Sequence, residues 1–152
     1  MLITFELNGL PVKADLPPGL TLLEYLRDQR QYSVKRGCDH GECGACSVLV
    51  DNRPHNACLL LMPMLEGRNV VTLEGLKADG QARSIQDRFI SEGAIQCGYC
   101  TPGMIISLAA LLRENSAPAE PEIRTALAGN LCRCTGYVKP VEAIDRLTSE
   151  KW

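Results

Sequence analysis

Eight cysteines in 152 residues constrain this chain more than anything else in it, because they fall into two sets of four with different spacings. Cys38, Cys43, Cys46 and Cys58 read C-x4-C-x2-C-x11-C, and Cys97, Cys100, Cys132 and Cys134 read C-x2-C-x31-C-x-C. A secreted disulfide scaffold is the first alternative. It is disfavoured because residues 1–6 carry no basic stretch leading into an apolar run, as a signal peptide would. A chain this long also does not need staples to fold. The longest nearly apolar stretches, 57–65 and 104–112, fall far short of the ~20 residues that span a bilayer. The expectation is a cytoplasmic protein without a membrane span, where clustered cysteines more often bind metal or do redox work than form disulfides.

The rest of the sequence divides at the same place as the cysteines. Residues 2–7 and 12–16 alternate around Asn8-Gly9, a hairpin signal. Thr21 can cap a short helix whose Leu22, Leu23 and Leu26 share one face. Strands are expected at 47–50, entering a turn at Asp51-Asn52, and at 70–73. After Gly75 the pattern becomes helical. Residues 76–83 are polar and read as a linker, and Ser84 is expected to cap a helix with Ile85, Phe89 and Ile90 inward. Thr101-Pro102 is a helix start, a capping hydroxyl followed by Pro at the first helical position. The helix it opens is apolar almost all round, so it should be central in a bundle. Further helices are expected at 121–127, stopped by Gly129-Asn130, and at 140–147. The fold class is therefore α+β, with two domains at 1–76 and 77–152.

The spacing of the first cysteine set is that of plant-type [2Fe–2S] ligation, whereas a single zinc ion is usually held by two C-x2–4-C knuckles, which neither set contains. Four thiolates on an oxidised two-iron core leave a net charge of about −2, so the centre needs nearby donors. Gly37, Gly41 and Gly44, interleaved with three of the cysteines, let the backbone wrap tightly and aim amides at sulfur. In the second set, Cys100 runs into the Thr101-Pro102 helix start, where the positive helix end favours an anionic group. Both pairs of that set lie at helix ends. His40 is not needed as a ligand beside four cysteines, and His55 reads as a surface residue. Sixteen basic and eighteen acidic side chains, with no clustered excess of Lys and Arg, give no nucleic-acid-binding surface.

Three stretches carry a family resemblance: Gly37-Cys-Asp-His-Gly-Glu-Cys-Gly-Ala-Cys46, Gln96-Cys-Gly-Tyr-Cys-Thr-Pro-Gly-Met104 and Gly129-Asn-Leu-Cys-Arg-Cys-Thr-Gly-Tyr137. Together they resemble the iron–sulfur subunit of molybdenum hydroxylases, the xanthine dehydrogenase and carbon monoxide dehydrogenase family. The resemblance covers nearly the whole chain. It implies an N-terminal β-grasp, ferredoxin-like domain followed by a four-helix bundle with pseudo-twofold symmetry, each holding one [2Fe–2S] cluster. It also implies a large partner subunit carrying a molybdopterin cofactor, a medium subunit carrying FAD, and an assembly that is a dimer of heterotrimers. Electrons would pass from molybdenum through the helical-domain cluster and the ferredoxin-like cluster to flavin or another acceptor. By the same resemblance, Gln96 and Cys134 reach the pterin.

The residues themselves agree that the chain has no chemistry of its own. It contains no G-x-G-x-x-G after a strand, no P-loop, no H-E-x-x-H and no G-x-S-x-G. Asp39 and Glu42 read as solvated loop carboxylates. Arg133 either offsets cluster charge or makes a surface ion pair, and Tyr99 and Tyr137 read as packing residues rather than gates. A free-standing two-cluster ferredoxin and a zinc-stabilised interaction module are the competing functions.

Overall fold

The computed structural model describes residues 1–149. The chain opens with a hairpin, β1 (Leu2–Leu7) and β2 (Leu10–Asp15), turned by Asn8 and Gly9, both in the left-handed region at φ 54° and 78°. That is the turn an Asn-Gly pair favours, because its twist matches the strands. Helix α1 (Leu22–Asp28) starts at a capping box in which Thr21 Oγ1 accepts from Glu24 N–H and the Glu24 carboxylate accepts from Thr21 N–H. Such a cap is worth about 1 kcal/mol. After the first cysteine loop come β3 (Ser47–Val50), β4 (Arg53–Asn56) and β5 (Asn69–Val71).

The five strands form one mixed sheet in the order β2-β1-β5-β3-β4, with β1 and β5 parallel and the other pairs antiparallel. Strand β1 buries alternate residues, Ile3, Phe5 and Leu7, as a strand covered on one face should. Strand β3 does not alternate. Val48 points into the core under α1, whereas Leu49 joins the core of the helical half, so both faces of β3 are covered.

That second core is built by α2 (Gly80–Ser91), α3 (Thr101–Glu114), α4 (Glu120–Leu127) and α5 (Val138–Ser149). Helix α3 lies at its centre, burying Met104, Ile105, Ile106, Leu108 and Leu112, as the sequence predicts. Among the described residues no helix is long and apolar enough to cross a membrane.

Three helix starts differ from expectation. Helix α2 begins within the supposed polar linker, because the Asp79 carboxylate caps it by accepting from the Gln81 and Ala82 amides, each at 2.9 Å. Ser84 instead sits inside the helix and donates back to the Gly80 carbonyl. Ile90 is 69% exposed rather than inward, since it falls ~140° around the helix from Ile85 while Phe89 falls only ~40° away. Helix α3 is capped by Cys100 without a side-chain bond, one residue earlier than Thr101. Helix α5 begins at Val138, two residues before Pro140.

Candidate metal centres

Cys38, Cys43 and Cys46 lie on a loop folded back on the sheet and closed by Lys35 N–H on the Ala45 carbonyl at 3.0 Å, and Cys58 joins them from the short turn Ala57–Leu59 after β4. The Glu42 and Cys43 amides both point at Cys38 Sγ, at 3.4 Å. This is possible because Gly41 turns the chain at φ 86°, where a Cβ would also lie 2.5 Å from Leu59. Gly37 lets the loop close over a sulfur, since a Cβ there would meet Cys43 Sγ at 2.6 Å. The Asn56 amide holds the turn by donating to the Gly41 carbonyl at 2.7 Å. Cys46 and Cys58 are buried, at 3% and 9% exposure, in the core beneath α1.

The second set joins two chain segments. Cys97 and Cys100 precede α3, and Cys132 and Cys134 lie in the turn between α4 and α5. Cys97 and Cys134 are exposed, with their sulfurs 3.7 Å apart. Cys100 and Cys132 are half-buried, and Cys132 Sγ lies 3.1 Å from Thr135 Oγ1. The Tyr137 hydroxyl accepts from Cys132 N–H and donates to the Asn130 carbonyl, both at 2.9 Å, and so shapes this turn. Gln96 is exposed beside the set and donates to the Cys134 carbonyl at 3.2 Å.

Local environment divides the thiols. Backbone amides, first that of His40 and then that of Cys43, bring Cys38 down to about 6. Burial pushes Cys46 up to about 12, and burial with the neighbouring Cys132 does the same to Cys100. The Tyr99 amide lowers Cys97, whereas the neighbouring Cys97 raises Cys134. Coordination to a metal would deprotonate such a buried thiol outright.

This arrangement fits a two-iron group, which takes four thiolates across two metals. The sulfurs are neighbours in pairs, Cys38 with Cys43, Cys46 with Cys58, Cys97 with Cys134 and Cys100 with Cys132. Amides aimed at sulfur in the first loop, and the start of the 14-residue α3 beside Cys100, supply positive partial charge to an anionic centre.

The other loop residues have ordinary partners. Asp39 pairs with Arg36, and the exposed His40 lies 3.3 Å from Glu42. Arg133 and His55 are exposed. Tyr99 does more than pack. Its hydroxyl donates to the Arg36 carbonyl, and the Lys35 ammonium sits 5.0 Å from its ring centre, joining the second set to the first loop.

A second, buried meeting of the two loops pairs residues that no spacing in the sequence brings together. Leu131 N–H donates to the Cys43 carbonyl at 2.9 Å. Asn130, which the sequence offers as a helix end and as part of the third resemblance stretch, is 2% exposed and bonded to Gly44, Ser47 and Ser107. A Cβ on Gly44 would lie 2.1 Å from the Gly129 carbonyl oxygen, and one on Gly103 would lie 2.3 Å from that of Gly44. Gly44 next to a cysteine was a visible signal, but nothing in the sequence pairs it with Gly103 or Asn130.

Two family models match the chain, a 2Fe-2S iron-sulfur cluster binding domain over residues 5–68 and a [2Fe-2S] binding domain over residues 72–145. The chain is 46% identical over 138 residues to the nicotinate dehydrogenase small FeS subunit of Eubacterium barkeri, covering 90% of this chain and 88% of that one. It is also 46% identical over 149 residues to the xanthine dehydrogenase iron-sulfur-binding subunit of Escherichia coli O157:H7, covering 93% and 92%. Among solved structures, a chain of quinoline 2-oxidoreductase from Pseudomonas putida 86 superposes with a TM-score of 0.90 at 39% identity, over 99% of this chain and 94% of that one.

Proposed function

The chain belongs to the iron–sulfur subunits of molybdenum hydroxylases, the xanthine dehydrogenase family, and from that premise we propose how its own residues divide the work of electron transfer. It is an electron-transfer subunit with two [2Fe–2S] clusters, acting beside a large molybdopterin-binding subunit. Cys38, Cys43, Cys46 and Cys58 hold the inner cluster, within residues 1–76. Cys97, Cys100, Cys132 and Cys134 hold the outer one, within residues 77–152. Residues 1–76 are the β-grasp, ferredoxin-like unit, and the four helices that follow are a bundle whose two cysteine-bearing helix ends are related by pseudo-twofold symmetry.

The clusters supply one-electron storage and passage. The chain supplies placement. The observation that carries this reading is the contrast in exposure between the sets. Cys97, Cys134 and Gln96 open on one face, whereas Cys46 and Cys58 lie in the core beneath α1. The exposed face receives electrons, with Gln96 and Cys134 oriented toward the pterin of the large subunit. Electrons then move inward across the Leu131–Cys43 contact and leave from the first loop toward FAD on a medium subunit. The assembly is cytoplasmic, a dimer of heterotrimers, and hydroxylates its substrate with oxygen from water. Substrate is bound by the large subunit.

Purification of the native protein tests this reading. Co-elution with a large molybdenum-containing chain and an iron–sulfur visible spectrum are expected. A monomer of 16.6 kDa in extract would favour a free ferredoxin, and a colourless zinc protein would remove the cluster assignment.

A further inference from the structure

Where the two cysteine loops meet, three polar side chains are buried together. Asn130 Nδ2 donates to the Gly44 carbonyl at 3.0 Å and to Ser47 Oγ at 3.1 Å, and Asn130 Oδ1 accepts from Ser107 Oγ at 2.7 Å. Ser47 Oγ in turn donates to the Gly44 carbonyl at 2.8 Å. Asn130 and Ser107 are 2% and 7% exposed, and Ser47 8%. Burying a carboxamide and two hydroxyls is unfavourable unless each finds its partners, and here each does. Ending helix α4 does not require this side chain, since its last turn is closed by backbone bonds, Ala128 N–H on the Thr125 carbonyl and Asn130 N–H on the Leu127 carbonyl. What the carboxamide does accomplish is to tie three elements together: the first cysteine loop at Gly44, strand β3 at Ser47 and the central helix α3 at Ser107.

The consequence lies one residue away. Leu131 N–H rests on the Cys43 carbonyl at 2.9 Å, so the chain that leads into Cys132 is hydrogen-bonded to the backbone of Cys43 itself. The glycines at 44 and 103 permit this approach, and Asn130 fixes it. Another contact between the loops, the Tyr99 hydroxyl on the Arg36 carbonyl, is exposed, where water competes for the donor.

We propose that Asn130 is a positioning residue for electron passage between the two cysteine sets, clamping the Gly44 loop onto α3 so that the Leu131 amide stays on the Cys43 carbonyl. This rests on the assignment of the two sets as ligands of two clusters. One electron leaves the second set and enters the first. No covalent bond forms or breaks in this step, and beside the potentials of the two centres the protein controls the distance and the connecting contact.

The test uses the cluster-loaded chain in its native assembly, with Asn130→Ala and, as a milder variant that leaves the loop intact, Ser107→Ala. Iron content and visible spectrum are expected to match the wild type. Hydrogen exchange in the peptide containing Leu131 should accelerate about tenfold or more in Asn130→Ala, the factor that corresponds to 1.4 kcal/mol of lost local bonding. The magnetic interaction between the two reduced centres should weaken, and arrival of the electron at the first set after a single turnover should slow. Ser107→Ala should move each readout in the same direction by less. Unchanged magnetic interaction and transfer at full iron content would overturn the proposal. So would loss of iron from both variants, which would make Asn130 an assembly residue. A wild-type protein without two iron–sulfur centres would instead overturn the ligand assignment.

Discussion

The two cysteine sets answer the same chemical demand with opposite architectures. The first draws three cysteines from one loop stitched by its own amides and the fourth, Cys58, from the short turn after β4, with two of its sulfurs in the core. The second is assembled from two segments distant in sequence, at helix ends, with two of its sulfurs at the surface. A local loop can be shaped by glycines within a few residues, whereas a site gathered from distant segments depends on the helices that carry it. The difference teaches that insulation and access are separated in this chain. Cys46 and Cys58 are enclosed by the chain, whereas Cys97 and Cys134 lie open on its surface.

The largest test of that contrast is Gly44→Ala. The residue adopts φ 66° and its Cβ would meet a backbone carbonyl oxygen, so neither flexibility nor a rotamer change relieves it. Left-handed strain and overpacking together are expected to cost about 2–5 kcal/mol, read by thermal unfolding of the loaded protein. Because Gly44 lies against Gly129 and Asn130, the second set should be disturbed as well. If only the first set responded, the two loops would not be coupled as described.

Gln96→Ala probes the open face. Among the described residues its amide reaches only the Cys134 carbonyl, so both clusters should survive. Turnover of the assembled enzyme should fall by roughly threefold to tenfold, the scale of one hydrogen bond to a partner group. Turnover at the wild-type rate would remove Gln96 from the proposed pterin contact.

Acid gives the smallest effect, and it acts on the seam after β5. Partial burial works to raise Glu74, but hydrogen bonds from the Ser33 hydroxyl and amide outweigh it and hold the carboxyl below the ordinary glutamate value. With the folded value depressed, the associated stability is present above the unfolded value. It is lost as pH falls through the lower folded one, below about pH 4. Glu74→Gln should therefore destabilise by about 1 kcal/mol at neutral pH and converge with the wild type in acid, as read from denaturant midpoints against pH. A constant difference across that range would place the stabilisation elsewhere.

Much of this architecture is legible in the sequence where the cause is local. Asn8-Gly9 specifies its turn, Thr21 its cap, and the apolar girth of residues 104–112 the centrality of α3. The amide-lined first loop follows from glycines beside cysteines. Local signals failed where two candidates competed within a few residues. Asp79 took the cap expected of Ser84 because a carboxylate stood five residues nearer the chain's entry into the helix. What remained illegible is what forms only across the chain. The two-sided burial of β3 needs α3 to cover Leu49, and the Asn130 clamp needs residues 44, 47, 107 and 130 to meet. No periodicity encodes such meetings.

The central claim, one two-iron centre per cysteine set, is tested most directly by electron paramagnetic resonance of the reduced protein with and without Cys43→Ser. The wild type should show two distinct signals, and the variant should lose one while the other persists at full intensity. A single signal in the wild type, or loss of both in the variant, would contradict it.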